Sequence, residues 1–414
     1  MERGTNISGA KKAYRQRNEG DFPALLKVTL VKETDLKYGE NPNQQGAVYV
    51  VSWLESPGKV EGGLSRCVDI LARLTNLRYA RTDDLGKGGL SLTNQMDITR
   101  GMDCLKWFLV PAGVIMKHNI AAGFAKKMQS GQKLVDLFRL ARDADRRSNM
   151  GGTAVFNRAL DRVTAEAMYE LKGESPFFVD VVAAPEYEEG VIDYIQGQSQ
   201  NIRIATFAAL DKIPKFQGDD TLGLLSFKEM PTGRIGVQDL YLTSIRSAED
   251  LILDPMIIDA GGRHVIERDP DEREKDDLLT AWRLNISGAR SNGIFVVRNG
   301  VSKAVGSGQV ERVGSVEQAV VKGMQKAMDM EGIKYDPLMG IQGYERLRDN
   351  PFERACVSSD AFIPNVDSVD TLARVGATAI IQPFGSNADV KVIDAANRHK
   401  MAMPATLERC FGHW

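Results

Sequence analysis

Short apolar stretches of four to eight residues alternate along the chain with segments whose apolar residues recur at helical spacing. That alternation predicts an α/β protein. The spacing predicts a helix over residues 94–105, and the apolar run at 107–116 reads as a buried strand after it. Residues 178–185 read as a second strand, closed by Pro185. Leu278, Leu279, Trp282, Ile286 and Ala289 fall on one face of a helix. The acidic run before that face, residues 267–277, reads as a solvated loop whose last aspartates cap the helix. Apolar runs at 294–297 and 301–305 flank Arg298-Asn299-Gly300, and the Asn-Gly pair predicts a β-hairpin. Near the end, 378–381 reads as a strand, the QPFGS sequence as a turn and 388–397 as a helix. No solenoid or propeller period interrupts this order.

A chain of 414 residues with 43% hydrophobic content buries a large core and predicts two domains, with three as the alternative. The least regular stretch, 212–275, places the boundary at its start. The expected division is a tail at 1–24, a first α/β domain at 25–211 and a second at 212–414. With 53 basic against 55 acidic residues there is no global field to favour nucleic acid or an anionic membrane. The run at 107–116 is about half of what a membrane span needs, and the N-terminus lacks the apolar core of a secretion signal. Cys67, Cys104, Cys356 and Cys410 lie far apart with no CxxC pair, which predicts reduced thiols and a cytoplasmic setting, with neither a disulfide framework nor a metal site.

Four histidines narrow the search for a proton carrier at neutral pH. His118 follows Lys117 directly after the apolar strand, at the carboxyl end where open α/β sheets usually hold ligands. A lysine beside a histidine offers a cation for developing negative charge and a base for a proton; a basic surface turn is the plainer reading. His264 and His399 sit in charged surroundings and read as solvated, while His413 is penultimate. Residues 85–89 lack the spacing of a phosphate loop. There is no HxE with PCxxC for a zinc deaminase, no GxSxG elbow, no GxGxxG fingerprint and no aromatic interleaving for RNA.

The stretch LKYGENPNQ at 36–44 resembles the LRYGENPHQ motif that opens the transformylase half of the AICAR transformylase / IMP cyclohydrolase family. Further matches follow in family order: LSLTN with Asp97, KHNIAAG at 117–123, MGGTAVFNRALD at 150–161 and DVVAAPEYEE at 180–189. SNGIFVVRNG, GSGQVER, SSDAFIP, IIQPFGSNAD and a terminal RCFGH complete the series, so the resemblance runs from about residue 25 to the end.

The resemblance implies two cytidine-deaminase-like α/β/α domains, and transfer of a formyl group from 10-formyltetrahydrofolate to the 5-amino group of AICAR without a catalytic metal. It implies a homodimer with sites across the interface. In the family a cyclohydrolase domain normally precedes the YGENP motif, and the expectation is that ring closure is left to a separate cyclohydrolase. By resemblance His118 takes the amino proton, Lys117 supports charge at the formyl group and the leaving nitrogen, and Asn292 orients the formyl oxygen or the carboxamide. Lys37, Tyr38, Gly152, Asp180, Phe362, Asp367, Arg409 and His413 match the nucleotide side, and Arg312, Ile363 and Pro364 the folate side. Four positions depart from the pattern. Lys37 stands for arginine and loses the planar fork suited to phosphate; Ala121 stands for proline, Asn43 for histidine and Phe384 for glycine. A nucleotide-binding homologue without catalysis and a modified folate donor are the alternatives to this reading.

Overall fold

Strands that are apolar on both faces need cover on both sides, and that is the arrangement found. A computed structural model describes residues 3–9, 25–36, 47–56, 64–66, 77–79, 90–172, 175–199, 202–208, 210–221, 224–232, 234–336, 338 and 341–413. Its centre is a ten-stranded sheet. In chain order the strands are β1 (Arg78–Tyr79), β2 (Ala112–Lys117), β3 (Ile120–Lys126), β4 (Gly152–Phe156), β5 (Val179–Ala184), β6 (Arg203–Thr206), β7 (Ile294–Arg298), β8 (Val301–Gly306), β9 (Cys356–Ser359) and β10 (Ala379–Ile381). Across the sheet they run β10-β9-β7-β8-β3-β2-β4-β5-β6-β1.

Two halves repeat one order. In the first, helix α1 (Leu92–Leu105) leads into the hairpin β2–β3, then α2 (Leu134–Ala144), β4, α3 (Arg162–Ala167), β5, α4 (Val191–Gln198) and β6. In the second, α5 (Glu272–Gly288) leads into the hairpin β7–β8, then α6 (Arg312–Met330), β9, α7 (Val366–Val375), β10 and α8 (Asp389–Arg398). β3 and β8 meet antiparallel at Ala125 and Val301 and fuse the halves into one sheet. β4, β5 and β6 are mutually parallel, as are β9 and β10, whereas each hairpin is antiparallel.

Side chains alternate between layers with the strand period of two. Val114 and Met116 point into a core shared with Ile98 and Met102 of α1 and Trp282 of α5, while Ile115 packs with Leu137 and Phe138 of α2. In β7, Phe295 and Val297 join the shared core, and Ile294 and Val296 pack against Val316 and Val320 of α6. The shared face joins the two halves. Trp282 is fully buried in it, and Trp282→Ala is expected to lower stability by about 3–5 kcal/mol, measured as the shift of the urea unfolding midpoint.

Three local readings are corrected. The run at 107–116 is strand only from Ala112; Trp107 lies past the end of α1 and Pro111 precedes the strand. The acidic run is not a loop to its end, because α5 begins at Glu272. Asp271 is the cap, its side chain accepting Glu274 N–H at 2.7 Å in a capping box. Glu274 and Asp277 are buried, held there by Arg268, Thr378 and the β7–β8 turn. His264 is half-buried rather than solvated, its Nδ1 3.1 Å from Asp394, whereas His399 is exposed as expected, with Nε2 2.7 Å from Asp370.

The start of the chain is tied to the second half. Thr5–Asn6 pairs parallel with Pro255–Asp259, Gly4 N–H donates to Asp254 at 2.7 Å and Ile7 is buried in the second-half core.

Candidate functional site

β2 and β3 are joined by only two residues, His118 and Asn119, with φ of 53° and 64°. Both lie in the left-handed region, which is a type I′ turn, the connection whose twist matches an antiparallel hairpin. Asp97, buried on α1, accepts the Asn119 N–H at 2.7 Å. Burial pushes the Asp97 carboxyl upward, opposed by the Asn119 N–H and by the His118 and Lys117 charges nearby. His118 itself is exposed. Lys117, the last residue of β2, turns its ammonium to two carbonyls, Met150 at 3.0 Å and Gly151 at 2.9 Å. An ammonium has three donors, so one N–H is left beyond these two carbonyls.

Gly152 begins β4 beside Lys117, and Asp180 sits at the irregular step of β5 where Val179 pairs Gly152 and Val181 pairs Thr153. Lys117, His118, Gly152 and Asp180 thus share one rim within about two strand spacings, or ~10 Å. This rim is not at the carboxyl ends of the parallel strands. β2 runs antiparallel to β4, so its carboxyl end meets the amino ends of β4 and β5. The position of the pair at the end of its strand holds; the expected sheet end does not.

Gly151 has φ of 68°, and a Cβ there would stand 3.3 Å from Lys117 Nζ. Gly151→Ala is expected to cost about 1 kcal/mol in backbone strain and to displace the ammonium. Thermal unfolding reads the first effect, and a crystal structure of the variant the second.

A second cluster lies further along the same rim. Asn292 precedes β7 and donates to Gln309 O at 2.9 Å, while its own carbonyl accepts Ser315 Oγ at 2.8 Å. Arg312 is buried, its guanidinium bonded to Asp360 and, at 3.2 Å, to Gly293 O. Ser291 Oγ donates to the other Asp360 oxygen at 2.6 Å, and Cys410 N–H donates to Asp360 O at 2.8 Å. Ser291 and Gly412 exchange two more hydrogen bonds. The penultimate residue His413 therefore follows a pinned strand of chain, with Arg409 stacked 4.9 Å over Phe411. Ile363 is buried, its N–H donating to Gln382 at 2.8 Å. Phe362 is half-buried, and Pro364 and Asp367 are exposed at the start of α7. Lys37 and Tyr38 lie outside the described residues, as does Asn43.

The two clusters are separated by β3 and β8. Three strand spacings put Asn292 about 14 Å from Lys117, beyond hydrogen-bond reach. Within one chain the rim gathers Lys117, His118, Gly152 and Asp180 in one place and Asn292, Arg312, Phe362, Ile363, Arg409 and His413 in another. A cavity of about 820 Å³ touches both, lined by Asn119 from the turn and by Phe411, Gly412 and His413 from the C-terminal segment. Arg100, Lys106 and Lys228 give it cations, and Lys106 is paired with Asp103 at 2.8 Å. A larger cavity of about 960 Å³ opens at the opposite rim, beyond Phe156 and Ala184, and none of the sequence-derived site residues line it. The sequence reading missed Asp360, although it lies in the SSDAFIP stretch, and the Met150 and Gly151 carbonyls, which carry no side-chain signal.

Phe384, where the family pattern has glycine, has φ of 60° and is fully buried. Glycine at such a position is a backbone requirement; here the packed ring holds the same backbone. Ala121, in place of proline, pairs with Met116 and packs in the shared core. Among the described residues no group of three His, Cys, Asp or Glu stands close enough to hold a metal ion, and no helix is long and apolar enough to cross a membrane. Cys104, Cys356 and Cys410 are free and buried, and burial raises all three thiols.

Fold and rim define an α/β protein built from two hairpin-first units, with a cationic turn carrying a histidine at the sheet rim. The chain belongs to the family described as the AICARFT/IMPCHase bienzyme, whose model matches residues 6–322. It is 31% identical over 392 residues to the bifunctional purine biosynthesis protein PurH of Persephonella marina, across 95% of this chain and 62% of that protein. The PurH protein of Magnetococcus marinus is 31% identical over 394 residues with the same coverage. The chain thus spans 62% of the length of these curated relatives.

Proposed function

We propose that the chain is a folate-dependent formyltransferase that acts on AICAR in purine biosynthesis. The observation that carries this reading is the Lys117–His118 pair on its clamped turn, with the ammonium fixed by two carbonyls and the imidazole exposed. The 5-amino nitrogen of AICAR is a weak nucleophile because its lone pair is delocalised into the ring. It attacks the formyl carbon, and His118 accepts the proton it loses. The remaining Lys117 N–H stabilises the oxyanion of the tetrahedral intermediate. Collapse breaks the bond to folate N10, which leaves with the proton His118 returns. Asn292 orients the formyl oxygen or the carboxamide, Asp180 and Arg409 hold the nucleotide, and Ile363 and Pro364 face the folate. Arg312 serves the folate side through Asp360, which it anchors.

The reading includes a homodimer whose sites take the first cluster from one subunit and the second from its partner. The 414-residue chain is proposed to stop at the formylated product. Single-turnover formylation with 10-formyltetrahydrofolate and a modified folate in parallel tests both activity and donor. Product should form with at least one donor, and no IMP should appear without added cyclohydrolase. Tight AICAR binding without turnover on either donor would favour the binding homologue instead.

A further inference from the structure

The duplicated architecture contains its own control. In the second half the β7–β8 turn is Asn299-Gly300, with φ of 54° and 70°. Asp277 of α5 accepts both of its N–H groups, at 2.8 and 2.7 Å. In the first half Asp97 of α1 stands in the same relation to His118-Asn119. Each helix that leads into a hairpin thus sends a buried aspartate to the turn. The sequence needs of the two turns differ, however. Asn-Gly is the preferred pair for a type I′ turn, whereas His-Asn has no glycine to relieve the left-handed backbone.

We propose that Asp97 is the positioning residue of the formyl-transfer site: it clamps the turn that presents His118 and supplies the fixed negative charge against which the imidazolium forms. The proposal rests on the function given above. Its physical basis is direct. When His118 accepts the amino proton it becomes a cation beside a carboxylate that is only 8% exposed, where charge is poorly screened. Asp97 touches no reacting atom and acts through the turn and through its charge.

Stability separates this role from a purely structural one. Burial raises the Asp97 carboxyl in the folded protein. Ionisation at neutral pH therefore favours the unfolded chain, and the penalty fades as pH falls through the folded-state value. Asp277 is raised by burial in the same way. Asparagine at position 97 removes the charge and keeps an oxygen for the Asn119 N–H; at position 277 it also turns an amide N–H against one of the two turn donors and takes away the partner of Arg273. Asp97→Asn should therefore impair chemistry without lowering Tm, whereas Asp277→Asn should lower Tm and leave chemistry in place.

The groups bearing on the turn are Asp97 and Arg100 of α1 and Lys117 of β2. Asp103 and Lys106 at the end of α1, and Lys228, Glu229 and His413, line the same cavity. All except Asp97 are common to both variants. The test is an NMR pH titration of the histidine imidazoles in wild type, Asp97→Asn and Asp277→Asn, with the His118 signal assigned by its loss in His118→Gln. The His118 midpoint should move to lower pH in Asp97→Asn and stay in place in Asp277→Asn, and Asp97→Glu should return it toward wild type. In parallel kcat should fall about 10-fold or more in Asp97→Asn and by less than about 2-fold in Asp277→Asn. An unmoved midpoint in Asp97→Asn, an equal change in both variants, or loss of the fold in Asp97→Asn would overturn the proposal. If the wild-type protein formylates nothing, the functional reading fails, while the titration still decides the role of Asp97.

Discussion

His118→Ala is expected to remove about 10²-fold or more of the formylation rate and to leave AICAR affinity within a few-fold. The imidazole is exposed at the tip of a two-residue turn whose backbone is held by Asp97. Its removal deletes a proton acceptor without opening a cavity or freeing a buried charge. Lys117→Ala should behave alike if its ammonium acts mainly on the oxyanion. It also releases the Met150 and Gly151 carbonyls, so its Tm should be compared with that of His118→Ala. The double variant should lose less than the product of the two single losses, because both groups serve one transfer step. Arg409→Ala should do the reverse, raising the Kd for AICAR more than it lowers turnover, since a nucleotide clamp acts in ground and transition states alike. Near-normal turnover in His118→Ala would remove the proposed mechanism while leaving family membership intact.

Strands and most helices were legible because their apolar pattern is dictated by burial on two faces. β5 shows this in Val181 and Ala183 against the shared core and in Val182 and Ala184 against the other. The β7–β8 turn was legible because Asn-Gly names its own geometry. The β2–β3 turn was not, because His118-Asn119 becomes a type I′ turn only with a carboxylate from a helix that precedes the strand. The same blindness to distant partners misled the reading of the acidic run. A run of charges is usually solvated, but Glu274 and Asp277 are buried because Arg268, Arg273 and the far turn meet them. Residue types at the rim were likewise readable from motifs. Their spacing was not, since it depends on which strands intervene, and β3 and β8 come between Lys117 and Asn292.

That spacing leads to the second large effect. Asn292→Ala is expected to lose most of the formylation rate, as His118→Ala does, and a mixture of the two inactive proteins should regain activity. The clusters stand about 14 Å apart on one chain, too far for both to touch one reacting centre. In an isologous dimer, residue i of one subunit faces residue j of the other, and the two-fold axis makes two equivalent sites. A heterodimer of His118→Ala with Asn292→Ala then holds one site with both defects and one with neither. Random exchange makes half of the dimers hybrid, so the mixture should reach about one quarter of wild-type activity. Activity should rise with the time allowed for subunit exchange and should be absent from either protein alone. The measurement is turnover after mixing under conditions that dissociate and restore the dimer, with light scattering to follow exchange. If the two variants exchange fully and the mixture stays inactive, each site is built within one chain. The rim would then have to close by a conformational change that brings Asn292 to Lys117, and the shared-site dimer would be wrong.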